Sequence, residues 1–268
     1  MSTTVPLYEI YAVKYAELSR KAFSNFIGAD AHETSDMPLD YYVWAIVGES
    51  SVYVVDTGFD AAMAAKRGRT IVNPVERGLE AIGIRHGDVR DVIVTHLHYD
   101  HCGNAALFDN ACFHLQDAEM QYATGRFMCH RKVREPFEAE DVARMVKRVF
   151  EDRVVFHDGT DEIAPGITVH RIGGHTMGLQ CVRVATRRGN VVLASDASHF
   201  YAHMETGRAF PVVYNVAELI EGYATLYRLA SSTAHVIPGH DPLVLERYPA
   251  ASESTRGWVA RVDLDPLT

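Results

Sequence analysis

Three histidines and an aspartate fall within six residues in Thr95-His96-Leu97-His98-Tyr99-Asp100-His101, directly after the apolar run Val92-Ile93-Val94. In an extended segment, residues two apart share a side, so His96 and His98 project together while Asp100 and His101 follow as the chain turns. Neutral imidazole nitrogen and carboxylate oxygen are ligands that zinc-like divalent ions accept without any thiolate. Burying several such groups together without a metal is costly, which favours a metal site over packing. Further along, apolar strands end in the same residue types. The segment 169–172 runs into Gly173-Gly174-His175, 191–195 into Asp196, and 235–239 into His240. Glycines beside His175 and His240 let backbone crowd a small site. The candidate ligands are therefore His96, His98, Asp100, His101, His175, Asp196 and His240. They suffice for two divalent ions, which at ~3.5–4 Å repel unless an anion bridges them. Asp196 and a shared hydroxide fit that bridging role, and seven protein ligands leave a position for water or substrate.

The elements that must carry these residues follow from hydrophobic periodicity. Strands are expected over 7–13, 41–47, 51–55, 91–95 and 111–115, and a helix over 74–82 that starts at a proline and stops near Gly83. A short helix is expected over 104–108. The segment 24–39 reads as a loop, either a surface connection or a cover for the site. Asp56, at the end of the third strand, suits a tight turn and equally a partner for a metal-binding histidine. Across 117–151 the pattern becomes helical and is broken by His130-Arg131-Lys132-Val133-Arg134 and Pro136. This helical insert lies between ligand regions, so Phe127, Met128 and Phe137 are candidates for a pocket wall as much as for packing. The basic stretch is either a solvated face or an attractor of anions. Strands are then expected over 154–157, 167–172, 179–185, 191–195 and, last, 234–237, with an amphipathic helix over 216–229.

With 268 residues, 47% of them hydrophobic, the chain can bury a substantial core as a single domain spanning 1–268. A formal charge of −9 argues against a nucleic-acid-binding face. No apolar run approaches the ~18 residues of a membrane span, and no leader pattern opens the chain, so a cytoplasmic protein with no membrane partner is expected. Cys102, Cys112, Cys129 and Cys181 form no Cys-x-x-Cys pair, which speaks against a disulfide framework.

The pattern His96-x-His98-x-Asp100-His101, then His175, Asp196 and His240, resembles the metallo-β-lactamase fold superfamily. Its N-acyl homoserine lactonase branch, which includes lactonases of short or aromatic lactones such as 4-pyridoxolactone, is the most similar. The resemblance implies an α+β fold, a four-layer αββα sandwich with two metals at one sheet edge. It implies that His96, His98 and His175 hold one metal, that Asp100, His101 and His240 hold the other, and that Asp196 bridges. Zinc is the first expectation, with iron or manganese accepted by the same ligands. Hydroxide attack on a lactone carbonyl follows, with Asp100 passing a proton to the departing oxygen. The lactonases place a substrate-contacting tyrosine three residues after the bridging aspartate; His199 stands there, in Asp196-Ala197-Ser198-His199-Phe200-Tyr201. His199 or Tyr201 would have to replace it as a catalytic group, beside Phe200 as pocket lining. The expected partner is a small lactone or related cyclic carbonyl compound, and a homodimer through the helical insert is open. Competing readings are a thioester hydrolase of glyoxalase II type, a phosphodiesterase and a non-catalytic metal-binding module.

Overall fold

The computed structural model describes residues 5–267. Thirteen strands form two sheets: β1 (Glu9–Leu18), β2 (Leu39–Val47), β3 (Val52–Val55), β4 (Thr70–Ile71), β5 (Asp91–Ile93), β6 (Cys112–Gln116), β7 (Val154–His157), β8 (Thr160–Ala164), β9 (Ile167–Arg171), β10 (Gln180–Thr186), β11 (Gly189–Ser195), β12 (Val236–Pro238) and β13 (Val259–Arg261). The larger sheet has the order β13-β1-β2-β3-β5-β6-β7, with β4 paired to β1; the smaller runs β12-β11-β10-β9-β8.

Alternation along the strands explains the layering. In β2, Tyr42, Trp44 and Ile46 share one buried cluster with Ile167, Val169 and Val182 of the smaller sheet. Their neighbours Tyr41, Val43 and Ala45 join a second cluster with Leu79, Val142 and Met145. Those last residues belong to or pack along α2 (Val75–Glu80) and α6 (Ala139–Phe150), which cover the outer face. On the far side, Leu219, Tyr223 and Leu226 of α8 (Val216–Leu229) pack against the smaller sheet. The four-layer αββα sandwich expected from the sequence is therefore present, and a strand covered on both faces has to be apolar throughout.

The differences from expectation are at short or irregular elements. β1 continues to Leu18 through a bulge between Lys14 and Ala16, which breaks the period-2 pattern. The segment expected as the last strand begins with a 3₁₀ turn, Thr233–His235, and the chain returns as β13 beside β1. Helices α1 (Ala61–Arg67), α7 (Tyr201–Thr206) and α9 (Leu243–Arg247), each seven residues or fewer, had no periodic signature long enough to read. The expected insert is helical, containing α4 (Asp117–Thr124), α5 (Arg131–Arg134) and α6. Among the described residues no helix is long and apolar enough to cross a membrane.

Candidate metal centre

Every expected ligand sits just beyond the end of a strand. His96, His98, Asp100 and His101 follow β5, with His98 in the position just before the short helix α3 (Tyr99–Cys102). His175 follows β9, Asp196 follows β11, and His240 follows β12. The larger sheet thus supplies one half of the constellation and the smaller sheet the other. Two strand ends are strained to bring them together: Asp56 and Ser195 hold left-handed backbone, with φ of 62° and 46°. Such conformations cost roughly 1–3 kcal/mol each and persist only where surrounding contacts impose them. Here those contacts are direct, because Thr95 Oγ1 lies 2.8 Å from both the Asp56 carboxylate and Ser195 Oγ. The His175 loop is fixed by close approach. Gly174 has φ +80°, and a Cβ there would stand 2.4 Å from the backbone nitrogen of Leu219.

The seven side chains converge. His175 Nε2 is 3.2 Å from His96 Nε2, 3.0 Å from His98 Nδ1 and 3.2 Å from Asp196 Oδ2. On the other side, Asp196 Oδ1 is 3.3 Å from His101 Nε2 and 3.0 Å from His240 Nε2. Asp100 Oδ2 stands 3.8 Å from His101 Nε2 and 4.0 Å from His240 Nε2. The groups His96–His98–His175–Asp196 and Asp100–His101–His240 each gather their ligand atoms within 4.8 Å, and Asp196 lies between them.

This packing fits a cation. Ligands held 2.0–2.1 Å from a tetrahedral ion lie about 3.3 Å from one another, close to the spacing around Asp196. His101 Nε2 and Asp196 Oδ1 are buried without a hydrogen-bond partner, an arrangement that is expensive unless something binds there. The opposite nitrogens are committed. His101 Nδ1 meets Asp56 Oδ2 at 2.7 Å, His175 Nδ1 the Val212 carbonyl at 2.7 Å, and His240 Nδ1 the Asp40 carbonyl at 2.8 Å. With those N–H groups donating, the Nε2 lone pairs point into the cluster. Burial pushes the pKa values of His96, His98 and His175 below the ordinary histidine range, with like charges adding to the effect. They are ready as neutral ligands. Burial is the largest single influence on His101 and His240 and acts in the same direction, but the carboxylates around them, Asp196 and Asp100 with Asp56 beside His101, together outweigh it and hold both above the usual range.

Asp56 therefore does both things the sequence left open, ending β3 in a strained turn and orienting His101. Asp56→Asn is expected to weaken metal affinity by roughly 10–100-fold, the usual effect of disturbing a ligand's hydrogen-bond partner. Competition with a chromophoric chelator measures it, and wild-type affinity would remove Asp56 from this role.

The cluster opens into a cavity of about 440 Å³ whose walls include Tyr41, Tyr122, Phe127, Val213 and Tyr214. His199 lines it, its Nε2 2.9 Å from Asp196 Oδ2 and its ring stacked on Phe210 at 3.6 Å. Phe137, expected as a wall candidate, is buried in the outer cluster and does not line the cavity, although its ring is 4.5 Å from that of His98. The other candidates lie elsewhere. Tyr201 is turned into the core between the sheets, under the Arg247 guanidinium at 4.0 Å, with its backbone N–H donating to Asp241. Phe200 is fully buried beside His203, and Met128 packs on the outer cluster without lining the cavity. The cause is local: α7 starts at Tyr201, and its first turn directs that side chain inward.

One buried residue went unnoticed in the sequence. Glu119 of α4 accepts from Leu97 N–H at 2.9 Å, from the Thr176 hydroxyl at 2.6 Å and from Gly178 N–H at 3.1 Å. A single carboxylate thus ties the backbone between His96 and His98 to the loop after His175. Gly178 is required there, because a Cβ would meet the Glu119 backbone nitrogen at 2.0 Å.

An αββα sandwich with a buried histidine and aspartate cluster at the strand ends defines a protein of α+β class with a candidate metal site. The chain matches the metallo-beta-lactamase superfamily over residues 37–249 and belongs to it. It is 28% identical over 181 residues to an N-acyl homoserine lactonase, AttM, of Rhizobium johnstonii, covering 65% of this chain and 66% of that protein. The AttM of Azorhizobium caulinodans is also 28% identical, over 61% of this chain and 62% of its own length. The match thus spans a little under two thirds of these relatives. Among solved structures, a quorum-quenching N-acyl homoserine lactone lactonase superposes with a TM-score of 0.72 at 21% identity, over 90% of this chain and 94% of that one. A probable metal-dependent hydrolase from Staphylococcus aureus gives 0.72 at 14% identity, over 99% and 97%. These likenesses establish the fold.

Proposed function

We propose that the protein is a dinuclear metal-dependent hydrolase that opens a lactone ring. The observation that carries this reading is the Asp196 carboxylate, with one oxygen facing His175 and the other facing His101 and His240. In this reading His96, His98 and His175 hold one ion, Asp100, His101 and His240 the other, and Asp196 is shared; zinc suits the donor set best. When bound, the metal pair supplies Lewis acidity toward a carbonyl and toward water. The remaining tasks fall to the protein. His199, kept neutral by burial, donates from Nε2 to Asp196 and so orients that carboxylate, while its ring lines the cavity. Asp100, which also lines the cavity, carries a proton to the oxygen released on ring opening. Tyr122, Phe127 and Tyr214 contribute an apolar wall for the rest of the substrate. The names of the AttM relatives support a lactone over other esters. Residues 1–268 act in this reading as a single hydrolase domain with the helical segment 117–151 beside its mouth. The four free cysteines suit a cytoplasmic setting.

The test is proton release by metal-replete protein on a long-chain acyl homoserine lactone, a short γ-lactone, an aromatic fused lactone and an acyl-glutathione thioester. Turnover of a lactone that is lost on chelation is expected. Turnover of the thioester alone would transfer the protein to the thioesterase reading.

A further inference from the structure

The cavity mouth carries four cations, Arg20, Arg67, Arg69 and Lys132. Two are already neutralised: Arg67 pairs with Glu138, and Lys132 with Glu135 at 2.8 Å. Arg20 and Arg69 are different. Both are half-buried, and among the described residues neither has a carboxylate within ion-pair distance. Arg20 spends one donor on the Ser24 carbonyl. Arg69 donates from Nε to the Tyr99 hydroxyl at 3.1 Å and from one terminal nitrogen to the Arg67 carbonyl. A guanidinium has five N–H donors, so both retain unused donors toward the cavity they line. Both guanidinium groups line the same cavity; burial lowers the Arg20 pKa and the like charge of Arg69 adds to that, while Tyr41, Tyr99 and Asp100 together outweigh burial at Arg69 and raise its pKa. Two unpaired cations sharing a partly desolvated wall are costly unless an anion completes them.

The same wall continues into the candidate metal centre. Tyr99, which receives the Arg69 hydrogen bond and carries the Arg67 guanidinium 4.0 Å above its ring, directly precedes Asp100 in α3. An anion seated at Arg20 and Arg69 therefore occupies the same cavity as a carbonyl seated over the histidines.

We propose that Arg20 and Arg69 form a carboxylate-binding subsite, so that the substrate is an acidic lactone, carrying a free carboxylate besides the ring ester. The proposal rests on the lactonase reading for the ring, and on the unpaired arginines alone for the carboxylate. Paired guanidinium donors suit the planar geometry of a carboxylate, which the carboxamide of the same shape cannot match in charge.

Two measurements on the metal-loaded full chain separate the claims. The first is calorimetric binding of glutarate against its monoamide, which share one carboxylate and differ at the other end. Glutarate is expected to bind roughly tenfold more tightly, as a charge-assisted contact requires. The gap is expected to close toward unity in Arg20→Gln, in Arg69→Gln and in the double variant. Equal affinities in the unaltered protein overturn the subsite, without reliance on any variant. The second is hydrolysis of a γ-lactone bearing a ring carboxylate against its carboxamide, with preference for the acid expected mainly in KM. A binding gap with neither lactone hydrolysed upholds the subsite and overturns the lactonase reading. Faster hydrolysis of the carboxamide, with no binding gap, does the reverse.

Discussion

Glu119→Ala is expected to unfold at markedly lower denaturant and to lose metal during purification. The carboxylate is fully buried and accepts from two backbone N–H groups and one hydroxyl. Its removal leaves the Leu97 and Gly178 N–H groups in the interior with no acceptor, at about 1–3 kcal/mol each, before the lost packing is added. Burial pushes the Glu119 pKa up, and the three donors oppose that shift. Glutamine is no substitute, because its NH₂ would face a donor on one side. The effect reaches the metal centre because the donors belong to the segments carrying His96, His98 and His175. Denaturant midpoints with metal analysis of the dialysed protein provide the check, and an unchanged midpoint with full metal content would falsify the clamp.

Asp196→Asn is the second large effect. The side chain keeps its shape, but one of its contacts with His175, at 3.2 Å, or with His101 and His240, at 3.3 and 3.0 Å, would present an amide N–H to a ring nitrogen. Disturbing the partner of a ligand already costs about 10–100-fold in metal affinity, so loss of the shared carboxylate should exceed about a hundredfold. Bound metal is expected to fall below two ions per chain, and lactone turnover to fall with it. Elemental analysis and initial rates on the same preparation test this. Retention of both would assign the sharing role to another group.

The candidate cluster was readable because chemistry concentrates in sequence there: one run of four, then three strand ends terminated by histidine or aspartate. The sandwich was implied by the family resemblance, and the strands read from the sequence were compatible with it, their apolar content reflecting burial on both faces of β2 and its neighbours. What escaped notice depends on contacts between distant segments. Glu119 looks like any acidic residue in the first turn of a helix, and its partners Thr176 and Gly178 lie 57 and 59 residues further on. Tyr201 was the converse case, near the site in sequence but directed inward by the start of α7. Arg20 and Arg69 carried no motif. The basic stretch that did attract notice contributes Lys132, already paired with Glu135.

The division of the ligands between two sheets also sets an order in time. Thr95 and Ser195, whose hydroxyls meet beneath the cluster, are separated by 100 residues, and the carbonyl that orients His240 belongs to Asp40, 200 residues earlier. Contacts of such span close late, after local hairpins and helices have formed. A nascent chain carrying only the first histidine run has four candidate ligands and Asp56 to aim His101, but not yet Glu119, His175 or Ser195, which hold the rest of the run in place. An ion binding this cluster would then follow the docking of the second sheet and would seal a completed fold.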